Sequence, residues 1–197
     1  SLTNENHSSI QYKTPFNLAV TRDGERLFVA CEASNSLIVV SPNTGAVLGE
    51  VTVGHQPHFV YLSPDETRAY VSNRGSDNVS VVDTKTYQLL STIDVGDEPH
   101  EMVTNEEGTL LYVANAGTYD VSVVDLSKGT EWKRLAASRG PWGVARSLDG
   151  RRVYVTNNLP RYGAFRTPSM SEVTVIETGH STVCLLYTSP SPRDRTR

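Results

Sequence analysis

Apolar and β-branched residues along this chain gather in short runs, broken at regular intervals by Gly, Asp, Asn and Pro. Such runs predict short strands, because branched and aromatic side chains suit a pleated surface while the punctuating residues favour turns. Between Pro57 and Val95 the runs place strands at His58–Ser63, Arg68–Ser72, Asn78–Val82 and Gln88–Val95. No segment sustains the apolar periodicity of a helix, so helix content is predicted to be minimal. An acidic turn separates the first two strands of each set: Asp23-Gly24, Asp65-Glu66, Glu107-Gly108 and Asp149-Gly150. Glycine there supplies the positive φ that a tight hairpin needs. Asp83 and Asp125 close the third strands, where a carboxylate can accept backbone amides two residues on.

These markers share one period. Pro15, Pro57, Pro99 and Pro141 stand 42 residues apart, as do Phe28, Tyr70, Tyr112 and Tyr154, each followed by Val. Three units continue as Tyr-Val-x-Asn, ending at Asn73, Asn115 and Asn157. The first reads Phe28-Val29-Ala30-Cys31, which puts Cys31 at the Asn position as a small buried residue. A four-stranded unit of this size cannot bury both faces alone, and radial stacking of such units is the known solution. The expected fold is therefore all-β, a β-propeller of four-stranded antiparallel blades of 42 residues in an incomplete ring. Its blades run over about 14–54, 55–96, 97–138 and 139–178, with residues 1–13 a remnant of a preceding blade or a disordered start.

The Tyr-Val-x-Asn signature, the Ser63-Pro64-Asp65 turn and the Val-Ser-Val-Val-Asp strand ends at Val79–Asp83 and Val121–Asp125 resemble the YVTN family of β-propeller repeats. The resemblance covers about Thr14 to Thr178. It implies a seven-bladed bacterial or archaeal protein, secreted or periplasmic, in a family with many non-catalytic members. Seven blades at this period would need roughly 300 residues, so the chain is expected to be a fragment. An open arc would expose the faces of its first and last blades, and poor solution behaviour is expected from that.

Composition excludes more than it selects. The net charge of −4 and 20% charged residues are ordinary for a globular protein, and nothing points to nucleic acid. No apolar run is long enough for a membrane-spanning helix. Two cysteines, Cys31 and Cys184, make neither a disulfide framework nor a cysteine-based zinc site, and no Cys-x-x-Cys-His haem attachment motif is present. No Gly-x-Ser-x-Gly elbow, phosphate-binding glycine loop or His-Glu-x-x-His pair occurs either. No catalytic residue is assigned and no cofactor is evident.

Candidate binding residues follow from the repeat. Loops joining one blade to the next, and loops between second and third strands, are expected to open on one face, where function usually gathers. The residue after the repeated proline is Phe16, His58, His100 and Trp142 in successive blades. A matched pair of histidines on neighbouring blades could ligate a metal, with His55 or Glu101 as possible further ligands. Alternatively, four large rings simply pack between blades at the channel mouth. Imidazoles more than roughly 7 Å apart could not share one ion.

The fourth unit breaks the spacing. From Val121 to Val173 is 52 residues, so ten are inserted within about Asn158 to Ser171. The insert interleaves Arg161 and Arg166 with Tyr162 and Phe165, which could clamp a carboxylate or phosphate, stack on a ring or dock a partner domain. Past Thr178 the phase is lost, and residues 179–197 read as a non-propeller tail. From Cys184 onward, the run Cys-Leu-Leu-Tyr-Thr-Ser-Pro-Ser-Pro-Arg-Asp resembles a translated transposon-type sequencing adapter.

The leading functional expectation is a non-catalytic propeller module that binds a small molecule, polymer or protein at its loop-rich face, with no nucleic acid and no membrane span. The alternative is the propeller domain of a periplasmic haem- or quinone-associated redox enzyme. A lactonase-like hydrolase is a third reading, and it would need metal-binding acids lining the channel.

Overall fold

The computed structural model describes residues 13–158 and 171–189. Residues 1–13 of the expected remnant lie outside it save Lys13, as does the insert with Arg161, Tyr162, Phe165 and Arg166. The described residues form four separate sheets of four antiparallel strands, each sheet in simple sequence order. The first holds β1 (Pro15–Val20), β2 (Leu27–Cys31), β3 (Ser36–Val40) and β4 (Val47–Thr52). The second holds β5 (Pro57–Leu62), β6 (Arg68–Asn73), β7 (Asn78–Asp83) and β8 (Gln88–Asp94). The third holds β9 (Pro99–Thr104), β10 (Leu110–Asn115), β11 (Asp120–Asp125) and β12 (Thr130–Ala136). The fourth holds β13 (Pro141–Arg146), β14 (Arg152–Asn157), β15 (Ser171–Glu177) and β16 (Thr182–Ser189). The four-stranded antiparallel units are those the repeat predicts, the fourth reaching past the expected end at 178. Strand ends fall within one residue of those read from the sequence of the second unit.

The core lies between sheets, and strand alternation explains why. Residues one step apart on a strand face opposite neighbours. Phe28, Leu37 and Val39 of the first sheet pack with Val60, Ala69, Val71 and Val82 of the second. Tyr70, Val79, Val81 and Ile93 then pack with Met102, Leu111, Val113 and Val124. Tyr112, Ala114, Val121 and Val123 meet Val153, Val155 and Ile176 in the last interface. Each middle blade is thus apolar on both faces. By the same rule Leu18 and Val20, on the face of β1 turned from the second blade, are 59% and 53% exposed.

Turn chemistry repeats with the period. Gly24, Glu66, Gly108 and Gly150 all carry positive φ. In each turn a side chain three residues earlier bonds the acid that follows: Thr21 to Asp23, Ser63 to Asp65, Asn105 to Glu107 and Ser147 to Asp149. The Asn of Tyr-Val-x-Asn is structural as well. Asn73 Nδ2 donates to Asn78 Oδ1 at 2.8 Å and Ser80 Oγ at 2.9 Å, and Asn115 Nδ2 donates to Asp120 Oδ1 at 2.7 Å and Ser122 Oγ at 2.8 Å. These bonds fix the turn from the second strand to the third.

Gly96 packs directly on that turn. A Cβ added there would lie 2.6 Å from Asn115 Nδ2 and 2.7 Å from its Cγ, inside any normal contact. Gly96→Ala is therefore expected to displace the Asn115 side chain and cost about 1–3 kcal/mol, measured by urea denaturation. Gly45→Ala, whose Cβ meets open space at φ +71°, should show only the milder penalty of its backbone angle.

The sheet does not end where the phase is lost. The stretch read as a non-propeller tail pairs as β16 along β15, from Thr182 against Glu177 to Ser189 against Ser171. Ser181, at φ 45°, takes the turn position held by Gly45, Tyr87 and Gly129 once the ten inserted residues are counted. Outer strands ask little of sequence: β4, β8 and β12 are largely exposed, and each pairs along one edge only. A stretch with almost no family signature can complete a blade on backbone hydrogen bonds.

Candidate functional site

Each blade builds its ring-bearing residue in the same way. The residue before the repeated proline has positive φ: Thr14 (47°), Gln56 (52°), Glu98 (51°) and Gly140 (64°). That conformation is doubly unfavourable for a side-chain-bearing residue ahead of proline. It persists because both backbone groups are held. The Gln56 carbonyl accepts from Arg74 N–H and its amide donates to Asn35 Oδ1; the Glu98 carbonyl accepts from Ala116 N–H and its amide donates to Asp77 Oδ1. These same bonds tie the interblade loop to the loop between second and third strands, so the two loop sets share a face as expected. In the fourth blade Gly140 takes this place, where a Cβ would meet the Asn158 carbonyl oxygen at 2.5 Å.

Immediately after the proline the inner strand bulges. Pairing slips between Pro15 and Asn17, between Pro57 and Phe59, along Pro99 to Met102, and along Pro141 to Val144. A bulge re-aims the extra side chain, and here that side chain is the ring. The four rings consequently converge. Phe16 lies 4.0 Å from His58 between centroids, His58 4.4 Å from His100, and His100 3.7 Å from Trp142. His58 is also 5.8 Å from Trp142, two blades on, so the rings cluster rather than run in a line. His58 and His100 stand edge to face at 89°, whereas His100 and Trp142 are stacked at 30°.

The histidines are the hidden members. His58 is 5% exposed and His100 fully buried, while Trp142 and Phe16 reach solvent. Among the described residues, His58 Nδ1 and both ring nitrogens of His100 have no hydrogen-bond partner. Burial, with a smaller contribution from the Arg74 cation, pushes the His58 imidazolium down to about 4. Burial first, then His58 and Arg74, push His100 to about 3. Both rings are neutral at pH 7, so each offers a lone pair.

The surrounding groups bound what the cluster can do. The separation of the two imidazoles satisfies the distance criterion for a shared ion. Neither expected helper joins them: Glu101 Oε2 accepts from Val144 N–H at 3.0 Å, and exposed His55 turns its Nδ1 to Asn35 Nδ2 at 3.3 Å. Among the described residues no three His, Cys, Asp or Glu side chains gather around one point. Sequence does not single out Arg74 as a site residue; it pairs with Glu98 at 3.5 Å beside the cluster. The recurrence of Asn35 and Asp77 one period apart is the available signal for the loop-holding residues. No helix long and apolar enough to cross a membrane occurs among the described residues.

With this geometry in place, comparisons with known proteins agree on the fold. A family model described as YNCE-like beta-propeller matches residues 7–105. Hydrazine synthase of Kuenenia stuttgartiensis is 27% identical over 96% of this chain, with a TM-score of 0.83, and the match covers 53% of that protein chain. The dihydro-heme d1 dehydrogenase NirN, in complex with DHE, is 14% identical over 88% of this chain, with a TM-score of 0.68 and 37% of its own chain covered. A protein of Bacteroides uniformis proposed to be a 6-phosphogluconolactonase is likewise 14% identical, over 89% of this chain, with a TM-score of 0.68 and 53% of its chain covered. The chain thus spans about half or less of the length of each. No curated protein matches it.

Proposed function

Because the chain belongs to the YNCE-like β-propeller family, we propose that it is a non-catalytic binding module that takes its ligand or partner on the loop-rich face, over the rings of Phe16, His58, His100 and Trp142. One observation carries this reading: every blade uses a residue of positive φ, strained in the first three, a proline and a bulge to bring a ring into one cluster. Strain repeated at one place is retained where the surroundings need that geometry. The cluster presents flat apolar surface through Trp142 and Phe16, with unpaired ring nitrogens beneath, and flat apolar walls with few polar groups are how small-molecule sites are built. The insert containing Arg161, Tyr162, Phe165 and Arg166 stands between β14 and β15 in sequence, and we assign it to ligand or partner contact. By resemblance to YVTN proteins, the site works in the periplasm or outside the cell.

Screening a library of aromatic fragments by saturation-transfer NMR tests this. Fragments that receive magnetisation from the chain should lose it in Trp142→Ala and keep it in Trp132→Ala, since Trp132 lies on the outer strand β12. Binding indifferent to Trp142, or absent altogether from folded protein, would sink the assignment.

A second reading, a propeller module of a haem- or quinone-associated redox enzyme, draws on the likeness to hydrazine synthase. The full-length gene separates the two. A fused Cys-x-x-Cys-His segment would favour the redox module, and its absence the binding module.

A further inference from the structure

We propose that the groove between the second and third blades is a binding site for a small free phenol, separate from the ring cluster. Three aligned positions decide how each interblade space is filled. At the first interface they are Phe28, Gly49 and Tyr87, and at the second Tyr70, Ser91 and Gly129. At the third, once the ten inserted residues are counted, they are Tyr112, Lys133 and Ser181. A ring closes the first space. Tyr87 packs over Gly49, where an added Cβ would meet its Cγ at 3.0 Å, and stands edge to face with Phe28, centroids 6.4 Å apart. Polar groups close the third. Ser181 Oγ lies 2.9 Å from the Tyr112 hydroxyl, and Lys133 Nζ donates to the Ser181 carbonyl at 3.0 Å.

The second interface has neither filler. Gly129 brings no side chain and Ser91 a short one, and a groove of about 420 Å³ opens there, a size typical of small-molecule sites. Val81, Ile93 and Leu126 make part of its lining apolar, and Tyr70 lines it too. The turns around it join first to second and third to fourth strands, at the blade ends away from the ring cluster. The two filled interfaces describe the occupant. Tyr87 shows that an aromatic ring fits between blades at this place. Ser181 shows that the tyrosine hydroxyl takes a hydroxyl partner, which Gly129 cannot offer to Tyr70. A phenol supplies both. It is the neutral form that suits the groove, because Asp65 and Glu107 line it and Arg68 is already paired with Asp83 at 3.0 Å. A free molecule rather than the tyrosine of a partner protein fits, since these acids leave no broad apolar rim for a protein to cover.

The probe is para-cresol, with toluene as the counterpart that lacks the hydroxyl. Titration followed by methyl NMR should saturate at one molecule per chain and move the signals of Val81, Ile93 and Leu126. Gly129→Tyr copies Tyr87 into the groove and should abolish binding. A Cβ at 129 meets open space, and its φ of 66° is near the 55° that Tyr87 holds, so the variant is expected to fold. Should it not fold, Ser91→Lys, which copies Lys133, must abolish binding in its place. Tyr70→Phe should weaken para-cresol about 5-fold, as the loss of one neutral hydrogen bond does, and leave toluene unchanged. No binding by the folded chain, binding that survives the filled groove, or toluene held as tightly as para-cresol overturns the proposal. Tighter binding of N-acetyltyrosinamide than of para-cresol would give the groove to a protein side chain and overturn it as well. The fragment screen at Trp142, read in the filled-groove chain, sees the ring cluster alone, so the two readings fall separately.

Discussion

Replacing Tyr112 with alanine is expected to cost about 3–5 kcal/mol, a large share of the stability that a protein of this size holds. Tyr112 is fully buried and is the bulkiest such side chain among the described residues. It stands in the interface between third and fourth blades, against Val121, Val123, Val153 and Val155. Its hydroxyl lies 2.9 Å from Ser181 Oγ, reaching from β10 to the last turn of the fourth blade. In stacked repeats stability is a sum of unit terms and nearest-neighbour interfaces, so the damage should concentrate at one joint. Hydrogen exchange is expected to accelerate in β14 and β15 before β2 and β3, and the thermal midpoint should fall by about 10 °C. Tyr112→Phe removes only the bond to Ser181 and should cost about 1–2 kcal/mol. Equal losses for the two variants would place the energy in the hydroxyl and refute the packing account.

Acid should loosen the ring cluster well before it touches the turns. His58 and His100 have folded values near 4 and 3, against an ordinary value of 6.5. A group whose folded value is depressed binds more protons when unfolded, so stability falls with falling pH once the ordinary value is passed. The contribution is whole above about pH 7 and drains away from pH 6.5 down to about 3. A tenfold difference in proton affinity between folded and unfolded chain is worth about 1.4 kcal/mol, so the pair together should account for several kcal/mol across that window. Turn acids behave otherwise. Asp65 and Asp149 lie below their ordinary 3.8, through hydrogen bonds from Ser63 and Ser147 first of all, so their share is whole through the upper part of that window and is lost only as pH falls through 3.8 and below. Urea midpoints between pH 7 and 5 should therefore slope downward in the wild-type chain and flatten in the His58→Phe, His100→Phe double variant. A slope unchanged by the double variant would assign the acid sensitivity elsewhere.

Much of this architecture is legible in the chain because propeller blades spell out their inner three strands. Pro57, Tyr70 and Asn73 each mark a position where only certain residues serve: a strand start, an interblade filler and a turn-fixing amide. The ring residues are legible as a column at one phase. Their convergence is not, since it depends on the bulge after each proline and on the residue before it entering the left-handed region. Nothing in Gln56 or Glu98 as residue types announces that conformation; tertiary hydrogen bonds from Arg74 and Ala116 impose it. The outer strand is the least legible element. Exposure on one side and pairing along one edge leave β16 almost free of sequence demand, and its register is hidden behind the ten-residue shift.

The interblade loops carry a last consequence. Gln56 is bonded to Asn35 and Arg74 just as Glu98 is bonded to Asp77 and Ala116. If residues 55–96 were excised and Gly54 joined to Asp97, Glu98 would find Asn35 where it now finds Asp77, with strain, proline and bulge all in register. At these loops the loss of a whole unit keeps the contacts in register. Blade number in such a lineage is thus open to change by unequal recombination in steps of 126 bases, three for each of the 42 residues. The ten-residue insert after β14 breaks that uniform step in one blade and sets it apart from its siblings.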